Sequence, residues 1–308
     1  MSIVPTNVPM TYGRYREAIQ KITETYPVCR SRCIGTTAFG REILSLAIGS
    51  GDRTVLFTAA HHANEWITAT VLLQFAEDRS RAIMEGGSLY GIPGTLFEQN
   101  CQVFLVPMVN PDGVDLVTGG IPKGSLEWEK AKSLSENYPS IPFPSGWKAN
   151  LLGVDLNLQY PAGWLQAREI KFTQGYTRPG PRDYVGRAPL AQRECRALAA
   201  FTQYLDPALV LAYHTQGQLI YWSFDDIDVP GALALGREFA RLSGYSLENA
   251  PYASGFAGYK DWFIKAFRRP GFTIEAGLGE NPLPLEQFDT IYSNNLGILT
   301  TAALGLPE

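Results

Sequence analysis

Histidine is scarce in this chain, with three in 308 residues. Cysteine is almost as scarce, at four: Cys29, Cys33, Cys101 and Cys195. In CRSRC the first two are one residue too far apart for a CxxC metal or redox motif. A chain of this length buries a large core without covalent staples, so four free thiols are expected. No apolar run is long enough to cross a membrane. The opening MSIVPTNVPMTYGRYREAIQ has neither a basic n-region nor an apolar h-region, so no signal peptide is visible and a cytoplasmic protein is expected. No excess of one charge is present either. Lys and Arg total 26 against 30 Asp and Glu, a net charge of −4. The charges are well mixed, which disfavours nucleic acid or an anionic membrane as the main partner. Oligomeric state leaves no trace in the sequence.

What is present is a globular composition, 45% hydrophobic and 12% aromatic. Residues 11–26 have helical periodicity. CIGTTAFGREILSLAIG reads as two strands turning at Phe39–Gly40. TVLFTAA (54–60) and CQVFLVPMVN (101–110) are short apolar runs of the buried-strand kind, with a helical pattern from Glu65 to about Ile83. From about Gly119 to Ala188 periodicity fades into Gly, Pro, Trp and Tyr, and a long irregular stretch in a compact domain usually builds a site. Regular elements return as helix 189–205, strands 208–215 and 218–224, helices near 230–243 and 258–268, strand 271–277 and a last helix near 285–303. This order predicts an α/β fold: a single domain over residues 1–308, with a mostly parallel mixed twisted sheet and helices on both faces.

Ligands bind such sheets beyond the carboxyl ends of the strands. TVLFTAA ends in His61, His62 and Glu65; the 101–110 strand ends in Asn110-Pro111-Asp112-Gly113; ALVLAY ends in His214; GFTI ends in Glu275. Singly, each has a plain structural explanation. A strand-end histidine is usually hydrogen-bonded, Glu65 suits the first turn of a helix, and Glu275 suits a salt bridge. Together, every histidine and an unpaired acid fall at strand ends. A catalytic zinc takes three nitrogen and carboxylate ligands and leaves a position open to water, which it activates near neutral pH. Glu65 with His214 and one of the paired histidines would make such a set. Spacing does not choose between His62, three residues from Glu65, and His61, four away. Glu275 is the candidate base.

HANEW (62–66), NPDG (110–113), VDLN (154–157), the His214 strand followed at once by another, and FTIE (272–275) stand in the order and rough spacing of the zinc carboxypeptidases. The sequence resembles that family from about residue 10 to 303. The resemblance implies His62, Glu65 and His214 as ligands of one zinc per chain, and Glu275 as general base. It leaves His61 as a neighbour and makes Asp155 the carboxylate that orients His62.

The departures narrow the reading. In the family the VDxN motif continues with an arginine that grips the terminal carboxylate of the substrate. Here Asn157, a substrate-binding position, is followed by Leu158, which has no donor. The arginine that steadies the oxyanion is matched by Lys148, after Trp147, which offers charge as a point rather than a fork. PYASGFAGYKDW (251–262) resembles the loop that carries the mobile tyrosine, here Tyr252, and the specificity position, here Lys260, which would favour an extra carboxylate on the residue after the cut. With KAN before GVDLN and FRRPGFTIEAGLGENPLP (267–284), these features resemble the γ-D-glutamyl-L-diamino acid endopeptidase branch. That resemblance implies cleavage between γ-D-glutamate and meso-diaminopimelate or lysine in cell-wall peptides. Relatives often carry wall-binding LysM modules and this sequence shows none, so soluble muropeptides are the expected substrate. The alternatives are an ordinary metallocarboxypeptidase with another cation in place of Leu158, a zinc small-molecule deacylase, and a non-catalytic murein-peptide binder. Arg268 and Arg269 are expected to pair at the sheet edge, and Trp164 to wall the cleft or pack.

Overall fold

A computed structural model describes residues 2–306. Eight strands form one sheet: β1 Cys29–Thr36, β2 Glu42–Ile48, β3 Arg53–Ala59, β4 Cys101–Val106, β5 Leu209–His214, β6 Leu219–Tyr221, β7 Ser246–Glu248 and β8 Gly271–Glu275. Their spatial order is β1-β2-β4-β3-β5-β8-β6-β7. The four central strands β4, β3, β5 and β8 run parallel. β1, β2 and β6 pair antiparallel at the flanks, and β7 runs parallel to β6. The expected mixed, mostly parallel sheet is the one observed.

The central strands are buried from both faces. Every residue of β5, and Val55 to Ala59 of β3, lies inside. Helices cover both sides of strands like these, so the strands are apolar throughout rather than alternating. Helix α1 (Tyr12–Thr25) buries Tyr15, Ala18, Ile19 and Ile22 on one face, and Thr11 caps its first turn by accepting from Arg14 N–H. Helix α2 (Ile67–Met84) is buried on nearly every side. All four cysteines are free. Among the described residues no helix is long and apolar enough to cross a membrane.

The sequence reading needs correction mainly between residues 84 and 188. Helix α3 (Gly94–Asn100) and a small hairpin, Ser88–Leu89 with Ile92–Pro93, precede β4. NPDG, placed at the end of the 101–110 strand, opens helix α4 (Pro111–Thr118). Asn110 caps it, Pro111 occupies its first turn and Gly119 ends it in the left-handed region, φ 82°. The stretch expected to be irregular contains α5 (Leu126–Ser135) and α6 (Trp164–Thr173). Neither has an amphipathic stripe: α5 buries only Ala131 and Ser135, and α6 only Ala167 and Lys171. The remaining helices are α7 (Arg193–Leu205), α8 (Ala232–Ser243), α9 (Tyr259–Phe267) and α10 (Phe288–Leu304).

Candidate active site

The parallel register brings the charged strand ends side by side. Glu275 is the direct neighbour of His214 across β8 and β5, and Ala59 faces Tyr213 across β3 and β5. Beyond β3 the chain turns through Ala60, which is left-handed at φ 50°, and His62 leads into a short 3-10 turn, Ala63–Glu65. Thr68 clamps this turn, accepting from Ala60 N–H at 3.1 Å and donating to the Glu65 carbonyl at 2.7 Å. Asn110 staples it from the far side. Its amide donates to the carbonyls of His61 and Ala149 at 3.1 Å each and of Lys148 at 3.3 Å. Gly113 makes this seat possible, since a Cβ there would sit 2.6 Å from the Ala149 carbonyl oxygen.

Three side chains converge in the pocket so formed. His62 Nδ1 is 2.9 Å from Glu65 Oε1, His214 Nδ1 is 2.9 Å from Glu65 Oε2, and the two imidazole nitrogens are 3.2 Å apart. The donor atoms of His62, Glu65 and His214 all lie within 4.8 Å of one another, and the described residues hold no other such group. Two nitrogens and a carboxylate aimed at one point fit the donor chemistry of a catalytic zinc. His62 Nε2 is engaged with Asp155 Oδ1 at 3.2 Å, the outer hydrogen bond that a ligating imidazole requires. His61 does not join them. It lies behind, bonded through Nε2 to the Tyr160 hydroxyl at 3.1 Å and stacked on the His214 ring at 5.7 Å.

The charges follow from that packing. Burial pushes the His61 imidazole well below its usual range, and the neighbouring imidazoles push it further, so it is neutral. Burial acts the same way on His62, but the Glu65 and Asp155 carboxylates outweigh it and hold the ring up at about 9. Glu65 and Asp155 are both held below the ordinary carboxylate range. Burial opposes this, but His62 and Lys148 prevail on both. Lys148 Nζ stands 3.0 Å from Glu65 Oε1. Glu275 moves the other way: burial raises its carboxyl, although His214 and Lys148 pull it down.

A family model described as zinc carboxypeptidase matches residues 15–296. The chain belongs to the zinc carboxypeptidase family. It is 44% identical over 288 residues to gamma-D-glutamyl-L-diamino acid endopeptidase 1 of Lysinibacillus sphaericus, covering 93% of this chain and 70% of that one. Among solved structures, bovine thrombin-activatable fibrinolysis inhibitor, in complex with tick carboxypeptidase inhibitor, matches with a TM-score of 0.73. That match covers 96% of this chain and 97% of the other at 16% identity. The murein-tripeptide amidase MpaA from Escherichia coli O157 matches with a TM-score of 0.54, covering 90% and 93%, also at 16% identity. At these identities the two structures speak for the fold.

The zinc carboxypeptidase cleft holds most of the expected residues. His62, Lys148, Asp155, Asn157, Leu158 and Lys260 line one cavity together with Glu275. Asn157 accepts from Tyr259 N–H through Oδ1 at 3.0 Å, which leaves its amide nitrogen uncommitted by that bond. Leu158 packs against Ala167, Val185 and Ala257, an apolar seat in which an unpaired guanidinium would be costly. Lys260 is buried, donating to the Ser223 carbonyl at 2.7 Å and pairing with Asp261 at 2.5 Å. Tyr252 is not brought to the cluster. It is 73% exposed, set edge-on to Phe256, and lines a separate hollow with Trp222. Trp164 also lies outside, donating to the Val185 carbonyl at 3.3 Å. Arg269 pairs with Asp206 at 2.8 Å, as expected of a sheet-edge cation. Sequence reasoning missed Lys171, Arg182, Asp183 and Tyr221, all of which line the cavity. Three of the four come from the stretch without periodicity, where no motif marks them.

Proposed function

We propose that this chain, as a single peptidase domain with one zinc, hydrolyses the γ-D-glutamyl–diamino acid bond of bacterial cell-wall peptides. One observation carries the reading beyond the family. The ligand set and Glu275 are assembled intact, while the position of the family's carboxylate-gripping arginine is Leu158, packed into an apolar cluster. A plain carboxypeptidase would lose its anchor there. An enzyme whose substrate continues past the cut, or carries its charge elsewhere, would not. The similarity to the Lysinibacillus sphaericus endopeptidase supports the same choice.

His62, Glu65 and His214 would hold the zinc. When bound, zinc supplies Lewis acidity toward water and the scissile carbonyl. Asp155 fixes the tautomer and direction of His62 through Nε2. Glu275 takes the proton of the attacking water on a carboxylate oxygen and delivers it to the leaving amine nitrogen. Burial lifts its carboxyl, so it is a stronger base than an ordinary exposed glutamate. Lys148, beside Glu65, offers its ammonium to the negative charge that develops on the carbonyl oxygen. Asn157 and Lys260 face the residue after the cut, where Lys260 and its partner Asp261 suit a second charged end such as that of diaminopimelate.

The test is cleavage of L-Ala-γ-D-Glu-meso-diaminopimelate, followed by mass spectrometry, with Glu275→Gln as control. Release of L-Ala-D-Glu and free diaminopimelate by the native chain alone supports the reading. Survival of the tripeptide, under conditions where a simple peptide loses its last residue, refutes it in favour of an ordinary carboxypeptidase.

A further inference from the structure

Two cavities meet at the ligand cluster. The one described above is bounded by Leu158 and Lys260. The other is bounded by Asn64, Gly146, Gln216 and Asn281 and contains neither Leu158 nor Lys260. His62, Lys148, Arg182, Tyr221 and Glu275 line both. The shared rim is therefore where a scissile bond would lie, with the leaving amine toward Lys260 and the acyl portion in the second cavity.

Arg182 is held at that rim with care. The Pro181 carbonyl accepts from the N–H groups of Lys148 and Ala149 at 2.8 and 2.9 Å. Asp183 N–H donates to Asp155 Oδ2 at 3.2 Å, and the Tyr184 carbonyl accepts from Asp155 N–H at 2.9 Å. The loop carrying Arg182 is thus bolted to the residues that carry Lys148 and orient His62. Arg182 Nε donates to Asp183 at 2.5 Å, and Asp183 in turn takes Lys171 Nζ at 2.7 Å. Among the described residues the two terminal nitrogens of Arg182 have no hydrogen-bond partner, and its side chain is 40% exposed. A guanidinium fixed through Nε with its outer edge free is the fork that matches a carboxylate in two parallel bonds.

We infer that Arg182 binds the free α-carboxylate of a γ-linked glutamyl residue, on the acyl side of the scissile bond. The inference rests on the proposed function and gives it a source of linkage specificity. In the acyl-side cavity the cations are Lys148, committed to the oxyanion, and Arg182. Both also reach the leaving-side cavity, but that cavity has Lys171 and Lys260 of its own, so only the acyl side depends on Arg182 for a free cation. A γ-glutamyl bond puts a carboxylate at the end of a short methylene arm on the acyl side. An ordinary α-linked peptide puts a neutral amide there. Arg182 therefore selects the linkage, and the arginine missing at Leu158 is not simply relocated.

The experiment uses the zinc-loaded full chain with three probes: L-Ala-γ-D-Glu-L-Lys, its amide at the glutamyl α-carboxylate, and its amide at the lysyl carboxylate. Native protein is expected to lose about 10- to 100-fold in kcat/KM on the glutamyl amide, mostly through KM, as for loss of a charge-assisted pair. Arg182→Gln should lose that factor on the parent and nothing further on the glutamyl amide, with Arg182→Lys between. Equal losses on both probes would mean a structural role and overturn the inference. Sensitivity that follows the lysyl carboxylate instead would place the anchor on the leaving side and favour the carboxypeptidase reading. If native protein cleaves none of the three, the proposed function fails and the inference with it. A second measurement needs no Arg182 variant. Calorimetric binding to zinc-loaded Glu275→Gln should be about 10-fold tighter for the parent than for the glutamyl amide, and equal affinities would overturn the inference.

Discussion

Two charge clusters stand near neighbouring strand ends, and in each a lysine or arginine faces three carboxylates. In one, Lys148 sits among Glu65, Asp155 and Glu275. In the other, Arg41 meets Asp112 Oδ1 at 2.9 Å, Asp115 Oδ2 at 3.2 Å and Glu127 Oε2 at 2.9 Å. The Arg41 cluster is closed: Nε, Nη1 and Nη2 each have a carboxylate, and Asp115 Oδ1 also accepts from Tyr12 N–H at 2.9 Å. It ties the NPDG turn to β2 and α5. The Lys148 cluster is open: two imidazole Nδ1 atoms and both oxygens of Glu65 aim at one point. A closed network builds scaffold, while convergent lone pairs build a place for a cation that is not part of the chain.

The comparison breaks most visibly on metal removal. Dialysis against a chelator should abolish hydrolysis, and added zinc should restore it. His214→Ala should hold no stoichiometric zinc by atomic absorption, whereas Arg41→Met should keep it. Next in size, Glu275→Gln is expected to lower kcat by roughly 10²- to 10⁴-fold at unchanged zinc content, as removal of a general base does. Loss of zinc in that variant would move Glu275 from the chemistry into the ligand set. Lys148→Met should cost about 10²- to 10³-fold in kcat, the range for an oxyanion donor, with Lys148→Arg recovering most of it. If both variants fell equally, charge at that position would not be what counts.

Arg41→Met tests the closed cluster. Three buried or half-buried carboxylates would face each other without a cation, at a cost of about 3 kcal/mol in unfolding free energy. Denaturant titration reads that loss. Turnover per folded molecule should stay near native, because nothing in the Arg41 cluster touches the cleft.

How much of this was legible follows the same division. The central strands announced themselves because burial from both faces makes them apolar throughout, the histidines stood out by their scarcity, and Glu275 by its place at a strand end like theirs. His61 and His62 could not be separated by spacing. The choice depends on which ring the Asn110 staple and the Tyr160 hydroxyl turn inward, and those contacts come from residues far along the chain. Arg182 and Lys171 stayed hidden for a related reason. The Arg182 loop has no period, and bonds to Lys148, Ala149 and Asp155 bring it over the site, while Lys171 reaches it from helix α6 through Asp183. Helix α6 was missed because Leu165 on its first turn is exposed while Lys171 on its last is buried, the reverse of an amphipathic pattern.

Glu194 sharpens the comparison with a third case, a buried acid belonging to neither cluster. It lies in the first turn of α7, 1% exposed, and makes no salt bridge among the described residues. One carboxylate oxygen accepts from Asn150 Nδ2 at 3.2 Å, and the other, Oε2, has no partner. Burial, helped by the charge of Asp112, lifts its carboxyl from the ordinary 4.5 to about 7. The folded state therefore favours the protonated acid. The stability this confers is fully present below about pH 4.5 and is lost as pH rises through about 7. Over that window the fold should give up about 3 kcal/mol from this group alone. Glu194→Gln keeps the Asn150 bond and cannot ionise. Thermal melts at pH 5 and pH 8 should show the variant near native at the lower pH and more stable at the higher, with no change in zinc content. An equal effect at both values would mean that the glutamine acts through packing, and that an unpaired buried acid is tolerated here without a pH cost.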